Sequence, residues 1–333
     1  MLLHDLLKFI PSDTEDRVRR TRERFNQSIR EVLRQETGLR LRRLPRDMEQ
    51  TDLFGNSTSQ SASADQITVR VELLPGLPKS LREKEISEKD RLAALIAPWR
   101  DSLERLRDSA KDVHHLVGRL SDDSNGQVLV TNGGVQIKPV VELAERLLRE
   151  SAAFNLARWI LDVNEDILGR YRYSLPDPKK PFERRRQDPW IELYWAVIGL
   201  FARLLVVAVE DLTVVILAHE LAHAYTHLGT DIDGHAWTPK EFSESDHSLK
   251  EGLAQYYARI VCHRIALGAP GAKIAFERLL KDQPPAYHSH VPWEERRKPE
   301  ELRLALLQVR RSGAGKLVDL ERFLEDAQQR LRA

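Results

Sequence analysis

Apolar and polar positions follow one another along this chain in a way that calls mostly for helices. Residues 12 to 44 are heavily charged but carry apolar points at Val18, Phe25, Ile29, Val32 and Leu33, a narrow stripe on one face of a helix. Packing on the protein's own body is the simpler expectation for that stripe, and docking to a partner protein is the alternative. Pro45 closes it, and the polar, small-residue run around Asn56 to Ala64 reads as a linker. Ile67 to Leu73 alternates as a half-buried strand does, and Leu74 to Pro78 ends it. From Trp99, the residues Leu103, Leu106, Ala110, Val113, Val117 and Leu120 recur at spacings of four and three, a heptad seam. A helical hairpin within the chain would cover it, and a dimer is the alternative. His114 and His115 adjoin this seam with no acid or cysteine to match them, so no chemistry is assigned there.

Gln127 to Thr131 and Val135 to Lys138 flank Asn132-Gly-Gly134, a hairpin signal. Pro139 then opens an amphipathic helix through Leu148. Asp162 to Asp166 begins like a calcium loop but lacks the central glycine and the closing glutamate, and reads as a solvated helix end. Ser174 to Pro189 suits an exposed loop, and Ile191 to Trp195 a strand. The longest apolar region, Trp195 to Ala218, is interrupted by Arg203, Glu210 and Asp211. A membrane span needs roughly 20 apolar residues, and charges within it are costly. Two deeply buried helices are therefore expected rather than an intramembrane enzyme. The fold class that emerges is α+β and mostly helical, with a small mixed or antiparallel sheet. The expected organisation is an amphipathic helical region (1–45), a flexible linker (46–66), a strand with the heptad-patterned helix (67–120) and a main domain (121–333).

Composition narrows the function. At 333 residues and 41% hydrophobic content the chain can bury a substantial core. A net charge of +1, from 52 basic and 51 acidic residues, gives no steering towards nucleic acid or anionic membrane. Cys262 is the single cysteine, so no intrachain disulfide forms. Met1 to Ile10 has neither a basic lead nor a cleavage pattern, and a cytoplasmic location is expected.

The candidate chemistry is His219-Glu-Leu-Ala-His223, within an apolar helix from Leu212 to Leu228 that Gly229 should end. Residues four apart on a helix lie one above the other. Two imidazoles so placed can share one zinc ion, with Glu220 available as a base. A catalytic zinc takes a third protein ligand from elsewhere. Glu251, at the start of the next helix, is the strongest choice, although Ser248 and Glu251 also fit a capping box. His227, His235, Asp231 and Asp233 are the rivals.

Residues 213 to 257 resemble zinc metallopeptidases of the zincin type, in the gluzincin branch, where a second helix supplies a glutamate to the metal. The metzincin pattern fails, because Thr226 and Gly229 occupy its glycine and histidine positions. The resemblance implies a zincin-like domain whose sheet packs on the active-site helix, and one zinc per chain held by His219, His223 and Glu251. It implies hydrolysis of peptide or protein substrates, read as endopeptidase activity, with Glu220 taking a proton from the attacking water and returning it to the leaving amine. A second donor for the oxyanion would come from Tyr256, Tyr257, Tyr287, His288 or His290, with Tyr256 and His290 put forward. Asp231 or Asp233 would orient a ligand histidine, and Ile191 to Trp195 would be the edge strand along which substrate lies. The alternative is a zincin scaffold kept as an inactive binding or regulatory module. The N-terminal helices would then engage a partner protein or a second copy.

Overall fold

The computed structural model of the protein describes residues 2–41, 69–123, 137–152, 154–163, 165–174 and 189–332. The expected linker, the turn at Asn132 and most of the 174–189 loop lie outside these residues. The described chain is mostly helical with one three-stranded sheet. Among the described residues, no helix is long and apolar enough to cross a membrane.

Helix α1 (Thr14–Thr37) buries Val18, Phe25, Ile29 and Leu33. It packs along α5 (Val209–Leu228), so the protein's own body covers the stripe. Each such apolar side chain contributes about 1.5–3 kcal/mol on burial. Polar contacts fix the register of this packing. Arg17 grips Glu210 through two hydrogen bonds of 2.7 Å each, and the Tyr225 hydroxyl donates to the Arg30 carbonyl at 3.0 Å. Gly38, at φ 71°, ends the helix in the left-handed conformation that favours glycine.

Strands β1 (Arg70–Leu74), β2 (Gly169–Arg172) and β3 (Trp190–Tyr194) form a mixed sheet in the order β1-β3-β2. β1 runs parallel to β3 and β2 antiparallel to it. The strand expected at the sheet edge, Ile191 to Trp195, is therefore central, and Trp195 already begins a helix. The edge that lies against α5 is β2.

Helices α2 (Arg100–Asp123) and α3 (Ile137–Ala152) pack on each other as a helical hairpin. Ile137 and Lys138, expected at the end of a strand, are the first turn of α3. The hairpin leaves Leu106, Val113 and Leu143 exposed. Helix α4 (Trp195–Leu204) leads into α5 through a tight turn. There Val206 adopts φ 54°, a strained conformation for a β-branched residue. Arg278 holds this turn by donating to the carbonyls of Leu205 (2.8 Å) and Val206 (2.6 Å).

The three charges that interrupt the apolar run all have partners. Arg203 lies over the Trp99 ring at 4.3 Å, Glu210 binds Arg17, and the Asp211 carboxylate accepts the Gly271 backbone N–H. The two acids also sit in the first turn of α5, where the helix dipole favours negative charge. Helix α6 (His247–Arg264) packs along α5, and α7 (Pro299–Ser312) and α8 (Leu317–Arg332) form a second hairpin beside it. Between these elements and β2, every residue of α5 from Leu212 to His227 is buried.

Candidate metal centre

The deep burial of α5 places two polar rings where water cannot solvate them. His219 and His223 are 7% and 8% exposed, and their Nε2 atoms lie 3.1 Å apart. Glu251 of α6 is 5% exposed, and its Oε2 lies 3.2 Å from His219 Nε2 and 3.3 Å from His223 Nε2. These three side chains form a group that could hold a metal ion. The capping-box alternative for Glu251 is not realised. Asp246 precedes α6 as its N-cap residue, Ser248 is already inside the helix, and the Glu251 carboxylate turns to the histidines.

Electrostatics couple the three groups. Burial opposes charge on Glu251, yet the neighbouring imidazoles hold its carboxyl well below the usual range. Burial pulls His219 below its usual value. His223 is also desolvated, but the Glu251 charge more than offsets this and raises it.

Glu220 is 6% exposed and leans on β2. A Cβ on Gly169 would come within 2.7 Å of Ile216 Cγ2 and 2.9 Å of Glu220 Cγ and Oε1, so glycine is what lets the strand approach. Two residues on, the Tyr171 backbone N–H donates to the Glu220 carboxylate. Burial, reinforced by the charges of Asp166 and Glu251, pushes the Glu220 carboxyl up to about 8. That value suits a group that takes and returns a proton near neutrality.

Gly169 and Tyr171 lie beside the cluster and were passed over by the sequence reading, which took Asp166 only as part of a helix end. Asp166 does lie on a solvated turn after the helix, 48% exposed and 3.6 Å from Arg170 Nε. Partial desolvation and the Glu251 charge nevertheless raise its carboxyl, and its own charge acts on His219, His223 and Glu220. The Tyr171 ring stacks beside His223 at 6.5 Å and 14°. No reading of the sequence pointed to this strand, which is only four residues long.

The rival ligands lie elsewhere. His227, fully buried one turn beyond His223, is hydrogen-bonded at Nδ1 to the Tyr171 hydroxyl (3.0 Å) and stacks on Phe242 at 4.4 Å. Burial and the Arg310 charge lower it to about 3, so it is neutral. Asp231 and Asp233 pair with Arg311 rather than orienting a ligand histidine. His235 is exposed, and its backbone N–H donates to Asp231.

Of the two oxyanion donors put forward, Tyr256 is turned away from the cluster, whereas His290 is near enough for the His219 charge to act on it. Tyr256 packs on Tyr257 at 5.3 Å and faces the acids Glu294, Glu36 and Glu300. Five residues past Glu251 is about 140° round the helix, so α6 turns it away from the histidines. The buried His290 ring is bonded through Nδ1 to the Tyr287 carbonyl at 2.8 Å and lies beside Phe276, and burial lowers it to about 4. Of that segment, Tyr287 is the residue whose ring stacks on a member of the cluster, His219, at 5.6 Å and 16°. Gly229 ends α5 as expected but not in a left-handed conformation. Its φ is −58°, and a Cβ there would press on the Tyr225 carbonyl and on Leu39.

No protein-family model, curated protein or solved structure matches the chain.

Proposed function

We propose that this protein is a zinc-dependent peptidase in which His219, His223 and Glu251 hold the ion and Glu220 is the general base and acid. The observation that carries this reading is the triangle of donor atoms, 3.1, 3.2 and 3.3 Å on its sides. Zinc bonds of about 2.0–2.1 Å in a tetrahedral arrangement separate their ligands by about 3.3 Å. Two imidazole nitrogens with one carboxylate oxygen are also the donor set that zinc accepts in catalytic sites with one position left open. In an empty site, lone pairs crowd one another away from water, at a cost that a cation removes.

A zinc ion there would supply a Lewis acid and lower the pKa of a bound water towards neutrality. The protein's own part is to hold and move the proton. Glu220 sits in the turn between the two histidines, fixed by the Tyr171 N–H and shielded from solvent. It takes a proton from the attacking water and delivers it to the departing amine. The edge of β2 away from β3, which pairs with no strand among the described residues, passes this carboxylate and offers an extended peptide a backbone to lie along. A site that only held a metal for structural reasons would have no use for a buried carboxylate in that place.

The test is zinc analysis of wild type and Glu220→Gln beside cleavage of a broad peptide library. About one zinc in both proteins, with cleavage lowered about 10²–10⁴-fold in the variant, is expected. Absence of zinc refutes the reading. A zinc-loaded protein that cleaves nothing refutes the catalytic half and leaves a binding module.

A further inference from the structure

The sheet has two outer strands, and their outward backbone groups meet different partners. β1 is outermost on one side and pairs only with β3 among the described residues. Successive residues of a strand turn their backbone N–H and C=O to opposite sides, so the carbonyls of Val69 and Val71 point the same way. Both accept from α1. Arg30 Nη2 donates to the Val69 carbonyl at 2.7 Å, and Arg22 Nη1 donates to the Val71 carbonyl at 3.0 Å. The two arginines stand just over two helical turns apart and are partly buried. Each is steadied by a neighbour, since Arg30 Nε donates to Asn26 Oδ1 at 3.0 Å and Arg22 Nη2 to Glu23 at 2.9 Å. At the other outer strand, the Tyr171 N–H of β2 meets the Glu220 carboxylate beside the metal cluster.

We propose that Arg22 and Arg30 close the outer edge of β1 to a further strand, so that a second copy of this chain cannot add to the sheet there. An open edge presents a row of unpaired N–H and C=O groups that templates association. A joining strand would lie about 4.8 Å from β1, and two guanidinium groups occupy that space. To enter, it would have to break both charged hydrogen bonds, and an approaching β1 of a second copy would bring its own arginines against these two. Arginine suits the task because its long arm reaches the strand from the helix and its planar head offers several donors. The closure stands independently of any metal. Only its consequence, that an extended peptide joins the sheet at β2, rests on the peptidase reading above.

The experiment compares the full chain with two double variants by sedimentation over one concentration range, and maps amide hydrogen exchange in the same samples. Arg22→Met with Arg30→Met keeps the side-chain stems and removes every N–H. Arg22→Lys with Arg30→Lys keeps a charged donor at each place. The methionine pair should at least double the sedimenting mass relative to wild type, with slower exchange gained over β1. The lysine pair should sediment as wild type does. A wild-type mass for the folded methionine pair overturns the inference, and so does association that adds no protection to β1 or that the lysine pair shares. Thermal midpoints check folding. Should the methionine pair fail to fold, Arg22→Met alone carries the same comparison, since Arg30 still bonds the Val69 carbonyl. Neither readout involves zinc or cleavage, so failure here leaves the proposed function standing.

Discussion

Helix α5 carries three histidines at intervals of four, and they end in two different environments. His219 and His223 meet the carboxylate of Glu251, which draws their nitrogens into a group able to hold a cation. His227, one turn further, meets the Tyr171 hydroxyl and the faces of Tyr173 and Phe242 instead. Spacing and residue type are the same along the helix. What separates the environments is the neighbour: α6 brings an acid to one pair, while β2 and Phe242 bring aromatic rings to the third. A histidine on a buried helix face becomes a ligand candidate when an anion is delivered to it, and otherwise it is neutral packing.

The most severe way to break that comparison is to remove a ring from each side. His223→Ala should abolish stoichiometric zinc binding, because two donors remain where three are needed. His227→Gln should leave zinc content unchanged. Metal analysis of both variants checks this, and loss of zinc in His227→Gln would place the third histidine in the metal site after all.

The same contrast predicts a pH effect. The folded state keeps His227 neutral down to about 3, whereas the unfolded chain protonates near the ordinary histidine value of about 6.5. Between those values the unfolded state binds the extra proton, so stability falls as pH falls, by at most about 1.4 kcal/mol per pH unit for this one group. His227→Gln removes that contribution. Denaturant unfolding from pH 6.5 to 4 should therefore show a shallower loss in the variant than in the wild type. Parallel curves would mean that His227 is already protonated in the folded protein.

Gly169 tests the strand that builds both environments. A methyl at this position would press on Ile216 and Glu220, and overpacking of this kind costs about 1–3 kcal/mol. Gly169→Ala should lower the thermal midpoint and peptide cleavage while zinc content is kept, since none of the three donors is touched. A variant with full activity would show that β2 does not fix Glu220.

How much of this was legible in the sequence depends on how far each contact reaches along the chain. His219, Glu220 and His223 were legible because one turn of helix sets their geometry. Glu251 needed only the next helix to fold back, and the apolar faces on both sides imply that. Gly169 and Tyr171 were not legible: they act across about fifty residues on Glu220, and a strand of four residues is too short for its alternation to stand out. Helix phase could have excluded Tyr256, whereas only the packing of the 285–290 segment puts Tyr287 on His219. The amphipathic helices show the same limit. Similar apolar stripes ended covered at Val18, Phe25, Ile29 and Leu33 in α1 and partly exposed at Leu106 and Val113 in α2, because a stripe says that something must pack on it and not what.

The smallest expected effect is also the finest test of the comparison, because Tyr171 serves both environments with different atoms. Its backbone N–H reaches Glu220, its ring lies beside His223, and its hydroxyl bonds His227. Tyr171→Phe removes only the last of these. The buried His227 Nδ1 then loses its partner, at a cost of about 1–3 kcal/mol for an unsatisfied buried polar atom. The cost falls on the packing end of α5, so unfolding should register it while zinc affinity and the cleavage rate stay close to wild type. If cleavage falls as stability does, the two ends of the helix are mechanically coupled through β2, and the aromatic surround of His227 is part of what holds Glu220 in place.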